Sequence, residues 1–130
     1  MVAHLIDHRN IAWVLGSFLA SLVGCMLVPY GYALFSGQPE QTAFLQAGLV
    51  TAAAGAILLL FGRRRERRDL QHREGILLVS LIWVCMCLFG ALPFYFSGSF
   101  AHFTDAIFES TSGFTTTGAT VLADIHGLSR

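Results

Sequence analysis

Apolar residues are concentrated in three long runs, at 11–35, 43–61 and 76–96, which short polar segments separate. None of the runs contains Asp, Glu, Lys or Arg. Each has roughly the 20 residues that a helix needs to cross a hydrocarbon core of about 30 Å. Soluble bundled helices would instead show a charged face. The pattern therefore predicts an all-α membrane protein with three transmembrane helices.

The segment after the third run, FTDAIFESTSGFTTTGAT at 103–120, is too short and too polar for a fourth span. Its first part predicts a short helix over 103–113. Thr104 is suited to cap the start of this helix, and Asp105 lies where the helix dipole favours negative charge. Gly113 is expected to end the helix.

An extended loop is predicted over 114–120, because its β-branched threonines disfavour helix and Gly118 permits a positive φ. Non-helical backbone at membrane depth persists only where it is buried in protein or lines a water-filled path. A re-entrant pore helix followed by an extended selectivity-filter loop meets that requirement. The helix would direct the negative end of its dipole toward the path, and main-chain carbonyls would replace the hydration shell of an alkali cation.

An anion cradle is the alternative interpretation of the loop, since hydroxyl and backbone N–H groups also hold phosphate. Phosphate loops, however, open into the N-terminus of a following helix. Here the helix precedes the loop, which favours a cation. Glu109 lies within the short helix, where it is expected to accept hydrogen bonds from the loop rather than to bind the ion directly. Asp124 is either a cation-attracting group at the mouth or an ordinary solvated acid.

Composition agrees with a membrane protein, and the charge distribution predicts its orientation. Only 12% of the residues are charged and the mean hydropathy is +0.63, whereas about a quarter of a soluble domain is charged. Six of the eight basic residues lie at 63–75, and Arg9 precedes the first run. The connections at 36–42 and 97–102 contain no Lys or Arg. By the positive-inside rule, the N-terminus and the 63–75 loop are cytoplasmic. Because three acids interrupt the arginines, contact with lipid headgroups is favoured over nucleic-acid binding.

Small residues recur every four positions in the first two runs, at Gly16, Ala20 and Gly24 and at Gly48, Ala52 and Ala56. Such rows let helix backbones approach closely in lipid, although glycine and alanine are also common in membrane helices. The arginine-rich segment separates the first two runs from the third, so we divide the chain near residue 70. Residues 1–70 form a two-helix transmembrane hairpin with its arginine-rich loop, and 71–130 comprise an outer helix at 76–96, the pore helix and the loop.

The motifs FTDA, FE-x-x-SG, TTTGAT and VL-x-DI, in that order between 103 and 125, resemble the first pore loop of Trk-type potassium uptake proteins of the TrkH kind, in the Trk/Ktr/HKT superfamily. The preceding hairpin and outer helix are also similar to that family's layout, so the resemblance covers essentially the whole chain. It implies a potassium-channel-like unit of outer helix and pore helix. In that family, four non-identical repeats surround one pore. The chain ends at Arg130, before the first repeat's second helix, and so resembles an N-terminal fragment of about a quarter of such a protein, which we do not expect to conduct alone.

Carried over by position, the resemblance makes Gly118 the filter glycine. It implies that backbone carbonyls of Thr116, Thr117 and Gly118 bind potassium, with Thr115 and Ala119 bordering them and Glu109 in support. Potassium is then the transported ligand, and no organic cofactor is implied. The resemblance further implies a homodimer in the bacterial inner membrane and cytoplasmic, nucleotide-binding regulatory subunits of the TrkA type.

Two other functions are considered. A small three-span structural or regulatory subunit would have no ion pathway of its own, and threonine substitutions in its loop would alter assembly rather than ion choice. An enzyme is disfavoured, because no His or acid is spaced from a Ser or Thr in a recognisable catalytic arrangement. His102 and His126 flank the loop without an evident catalytic role.

Overall fold

A computed structural model describes residues 7–63 and 72–121, and this part of the chain is helical throughout except for short connections. The four helices are α1 (His8–Ser36), α2 (Gln41–Gly62), α3 (His72–Phe96) and α4 (Phe103–Phe114). The first three are long and apolar enough to cross a membrane. The prediction of three span-like helices is confirmed, and α4, with 12 residues, is too short to be a fourth.

Helices α1 and α2 approach each other closely at glycine residues of both helices. A Cβ built on Gly16 would lie 2.9 Å from the carbonyl oxygen of Gly55, and one on Gly62 would lie 2.5 Å from the backbone nitrogen of Trp13. Because backbone atoms fill both positions, no side chain fits there without separating the helices. Close backbone approach is the feature that the small-residue rows predict.

The predicted row on α2 is displaced by one residue from the buried one. Gly48 is half-buried and Ala52 and Ala56 are exposed, whereas the buried residues of α2 before Gly62 are Ala43, Ala47, Thr51 and Gly55. One residue along a helix turns the side chain by about 100°. The two rows are equally regular in the sequence, so spacing alone does not distinguish the packed face from the outward one.

The starts of α1 and α3 are joined by a buried carboxylate. Glu74, only 6% exposed, accepts a hydrogen bond from the backbone N–H of Asp7 at 2.7 Å. At the same end of the molecule, Arg9 Nε donates to the carbonyl oxygen of Phe61 at 3.4 Å. Helix α3, described from His72, includes four polar or small residues before the apolar run at 76, and this first turn contacts α1 through Glu74. Most of the arginine-rich loop lies outside the described residues.

Helix α4 packs back along α3. After a turn at Gly98, which has a φ of +73°, Phe100 and Ala106 are buried against Ala91 of α3. At the other end of α4, a Cβ built on Gly90 would lie 2.5 Å from Cε2 of Phe114. Phe114 therefore lies beside a position well before the end of α3, and α4 runs antiparallel to that end.

Two predicted details of α4 are wrong. Thr104 does not cap the helix: the capping position is His102, whose side chain makes no capping hydrogen bond, and Phe103 already belongs to the helix and packs on the α3–α4 cluster. Gly113 does not end it either. The helix continues to Phe114, and the left-handed residue that breaks its direction is Thr116.

Candidate functional site: the loop that follows α4

The loop begins with a tight turn against the C-terminal end of α4. Three main-chain N–H groups donate back to the last helical carbonyls: Thr115 to Thr111 at 2.9 Å, Thr116 to Gly113 at 3.2 Å and Thr117 to Ser112 at 3.0 Å. The hydroxyl groups of Thr115 and Thr117 also contact each other at 2.8 Å. These hydrogen bonds fix the direction in which the chain leaves α4.

Two residues of the loop have left-handed backbone conformations. Gly118 has a φ of +72°, the geometry that the sequence predicts for it. Thr116 has a φ of +54°, which is uncommon for a non-glycine residue and strained for a β-branched one. The sequence does not predict this feature, because threonine favours extended backbone. Backbone strain of this kind tends to occur at functional sites.

Glu109 anchors the far end of the loop. Its Oε2 accepts a hydrogen bond from Oγ1 of Thr120 at 3.0 Å and another from the backbone N–H of Val121 at 3.3 Å. These are the contacts with loop hydroxyl and N–H groups that the sequence leads us to expect. Asp124 and His126 lie outside the described residues.

Ser112 makes a second anchor that the sequence does not predict. Its Oγ donates to the carbonyl oxygen of Ala119 at 2.5 Å. Serine so close to the end of a helix has no distinctive spacing signal, and its partner is identified only once the path of the loop is known.

Hydrogen bonding divides the carbonyls of the loop into two groups. The Ala119 oxygen accepts from Ser112, whereas within residues 7–63 and 72–121 no donor is directed at the carbonyl oxygens of Thr115, Thr116, Thr117 or Gly118. The same described residues contain no cluster of three or more His, Cys, Asp or Glu side chains. Apart from the Glu109 carboxylate, which accepts from Thr120 and Val121, the loop offers main-chain and hydroxyl oxygens to a cation. They follow the negative end of the α4 dipole.

Comparison with known proteins identifies related chains. No family model matches the chain. It is 42% identical over 121 residues to the Trk system potassium uptake protein TrkH of Salmonella typhimurium, which covers 92% of this chain and 25% of that protein. Identity to the TrkH protein of Escherichia coli is 40% over the same shares. The fold matches the crystal structure of the potassium transporter TrkH from Vibrio parahaemolyticus with a TM-score of 0.79 and 36% identity, over 88% of this chain and 25% of that one.

This chain is TrkH-like in sequence and in fold. The resemblance predicted from residues 103–125 is thereby confirmed, and with three apolar helices it supports a multi-pass membrane protein. The chain spans about a quarter of the length of the TrkH proteins that it matches. These relatives are potassium transporters rather than enzymes, which agrees with the prediction that this chain is not an enzyme.

Proposed function

We propose that this chain supplies one wall of a potassium-selective pathway in a potassium uptake protein. The observation that carries the proposal is the loop after α4, in which the carbonyl oxygens of Thr116, Thr117 and Gly118 accept no hydrogen bond among the described residues while both flanks are anchored to α4. The names of the TrkH relatives, as potassium uptake proteins, support potassium as the substrate.

The chemistry follows from the type of ligand. Carbonyl oxygens replace the hydration shell of an alkali cation without a fixed charge that would hold the ion too tightly. The C-terminal end of α4 adds a partial negative charge near the loop. Packing of α4 back along α3 supports a re-entrant arrangement, because the end of α4 lies beside Gly90 rather than beyond the end of α3. In this proposal the helix directs the loop inward from one side of the membrane.

The remaining architecture is proposed from the same relationship. Residues 1–70 form an accessory hairpin, and 71–130 belong to the first of four repeats that surround the pore. The protein is a homodimer in the bacterial inner membrane, with its N-terminus and the 63–75 loop in the cytoplasm. A nucleotide-binding regulatory subunit of the TrkA type associates on that side.

Gly118→Ser tests the filter assignment. A side chain in the left-handed conformation costs about 1–2 kcal/mol, so the backbone around Gly118 is expected to rotate and its carbonyls to lose their alignment. In the complete gene product, expressed in a host that lacks potassium uptake, we expect the preference for potassium over sodium to fall roughly fivefold or more. Growth at low potassium and sodium-inhibited rubidium uptake measure the change.

Gly113→Ser is the matched control. Gly113 lies on the same segment, has no positive φ, and has open space around a built Cβ, as Gly118 does. We expect it to leave ion preference unchanged. If Gly118→Ser behaved like this control, with growth and sodium exclusion both unchanged, the filter assignment would be wrong and a structural or regulatory subunit would be the better description.

A further inference from the structure

We propose that Ser112 is a positioning residue that holds the carbonyl of Ala119 away from the cation and so excludes it from the ligand set that Thr116, Thr117 and Gly118 supply. This inference rests on the proposed function. It adds a residue whose side chain would not touch the ion, and it gives Ala119 a role different from that of the residues before it.

Ser112 contacts the loop on both sides of Gly118. Its own carbonyl oxygen accepts the N–H of Thr117 at 3.0 Å, and its hydroxyl donates to the carbonyl oxygen of Ala119 at 2.5 Å. Ser112 itself is only 6% exposed, whereas Thr117 and Ala119 are exposed, so the two bonds start from a fixed, buried residue of α4. One serine on α4 therefore fixes the residue before the glycine and the residue after it.

Gly118 makes such a restraint necessary. Glycine rotates through left-handed and right-handed backbone conformations at little cost, and a rotation at Gly118 would swing the next carbonyl. A donor on the Ala119 oxygen opposes that rotation, because turning the carbonyl toward a cation requires the hydrogen bond to break. The bond also withdraws electron density from an oxygen that would otherwise compete with its neighbours as a ligand.

Ser112→Ala isolates the hydroxyl. It removes the donor to Ala119 but keeps the main-chain bond to Thr117, and alanine is well tolerated in a helix. A net hydrogen bond corresponds to a factor of about two to ten in an equilibrium. In the complete gene product we expect the preference for rubidium over sodium, measured as inhibition of uptake by each cation, to fall by roughly that factor at an unchanged level of protein in the membrane.

Ser110→Ala is the matched control. Ser110 is a second buried serine on α4, 3% exposed, and its Oγ has no hydrogen-bond partner among the described residues. It faces Gly90 of α3 rather than the loop. We expect Ser110→Ala to leave ion preference unchanged, and Ser112→Thr, which keeps a hydroxyl, to retain most of it. If Ser112→Ala does not accumulate in the membrane, Ser112→Cys takes its place, because a thiol of similar size donates only weakly.

The two assignments fail in different ways. If Gly118→Ser weakens selectivity while Ser112→Ala matches the Ser110→Ala control, the role of Ser112 is wrong and the filter stands. Equal losses in the two serine variants, or a loss in Ser112→Thr as large as in Ser112→Ala, would also overturn the role of the hydroxyl. If Gly118→Ser has no effect, the filter itself is wrong, and the inference about Ser112 fails with it.

Discussion

At the scale of single residues, Glu109 joins the most distant parts of the site. Its carboxylate accepts hydrogen bonds from residues 11 and 12 positions further along the chain, Thr120 and Val121. Hydrogen bonds to a charged acceptor contribute about 1.5–3 kcal/mol. Glu109 and Ser112 together hold residues 119–121 to α4, and the residues assigned to the ion, Thr116 to Gly118, directly precede these anchored positions.

Glu109→Ala removes both bonds at once. We expect it to release residues 120–121 and to reduce the preference for potassium over sodium by roughly tenfold, as measured by sodium inhibition of rubidium uptake. Glu109→Gln keeps one acceptor oxygen and should lose less. Asp105→Asn is the control, because Asp105 is a carboxylate in the first turn of the same helix with no hydrogen bond to the loop. A reduction in Asp105→Asn equal to that in Glu109→Ala would contradict the anchoring role.

Some features of the loop residues follow from the chemistry of the residue itself, and others depend on the path of the chain around it. The positive φ of Gly118 follows from the chemistry of glycine, and the contacts of Glu109 follow from a carboxylate that lies one turn before a polar loop. The positive φ of Thr116 runs against its own propensity, because a β-branched side chain disfavours that conformation. The bond of Ser112 depends on the path of the chain after the helix. Thr116 takes this conformation within a turn whose N–H groups bond back to α4, and neither feature has a residue pattern that predicts it.

At the scale of elements, the crossing of α1 and α2 is set by backbone contact. The position of a Cβ on Gly16 is filled by the carbonyl oxygen of Gly55 and the backbone nitrogen of Leu59, each 2.9 Å away. Gly24, two positions along the same predicted row, has no atom within 4 Å of its built Cβ. Of the two glycines of this row, only Gly16 is in close contact with α2.

Gly16→Leu and Gly24→Leu form a matched pair on one helix. Overpacking of a well-packed contact costs typically 1–3 kcal/mol, so Gly16→Leu should separate the helices and lower the melting temperature in detergent by several degrees. Gly24→Leu should have a neutral or slightly stabilising effect, since leucine favours helix over glycine. Equal melting temperatures for the two variants would contradict the crossing geometry.

The elements themselves were largely predictable because three uncharged runs of membrane length allow few alternatives. The differences come from polar residues at the ends. Helix α3 includes residues 72–75 before the apolar run, and Glu74 in this turn is buried and accepts from the N–H of Asp7. The sequence predicts a packed face of α2 that is one residue out of register, because several of its small residues form equally regular rows.

At the scale of the whole molecule, a group of polar contacts lies at one end of the described helices and the connection to the loop-bearing helix α4 lies at the other. The starts of α1 and α3 and the end of α2 meet through Asp7, Glu74, Arg9 and Phe61. The connection from α3 to α4 lies at the other end, and α4 returns from there along α3. The loop therefore approaches from the end opposite the end of α2 and the start of α3. Its orientation relative to the cytoplasm stays a prediction.

The most direct measurement is the position of rubidium in crystals of the complete gene product, because rubidium substitutes for potassium and scatters anomalously. We expect an anomalous peak in contact with the carbonyl oxygens of Thr116, Thr117 or Gly118, and no contact between that ion and the Ala119 oxygen. Ion density confined to other parts of the pathway, with these three oxygens facing lipid or turned away from any channel axis, would contradict the assignment of the loop as a wall of the filter.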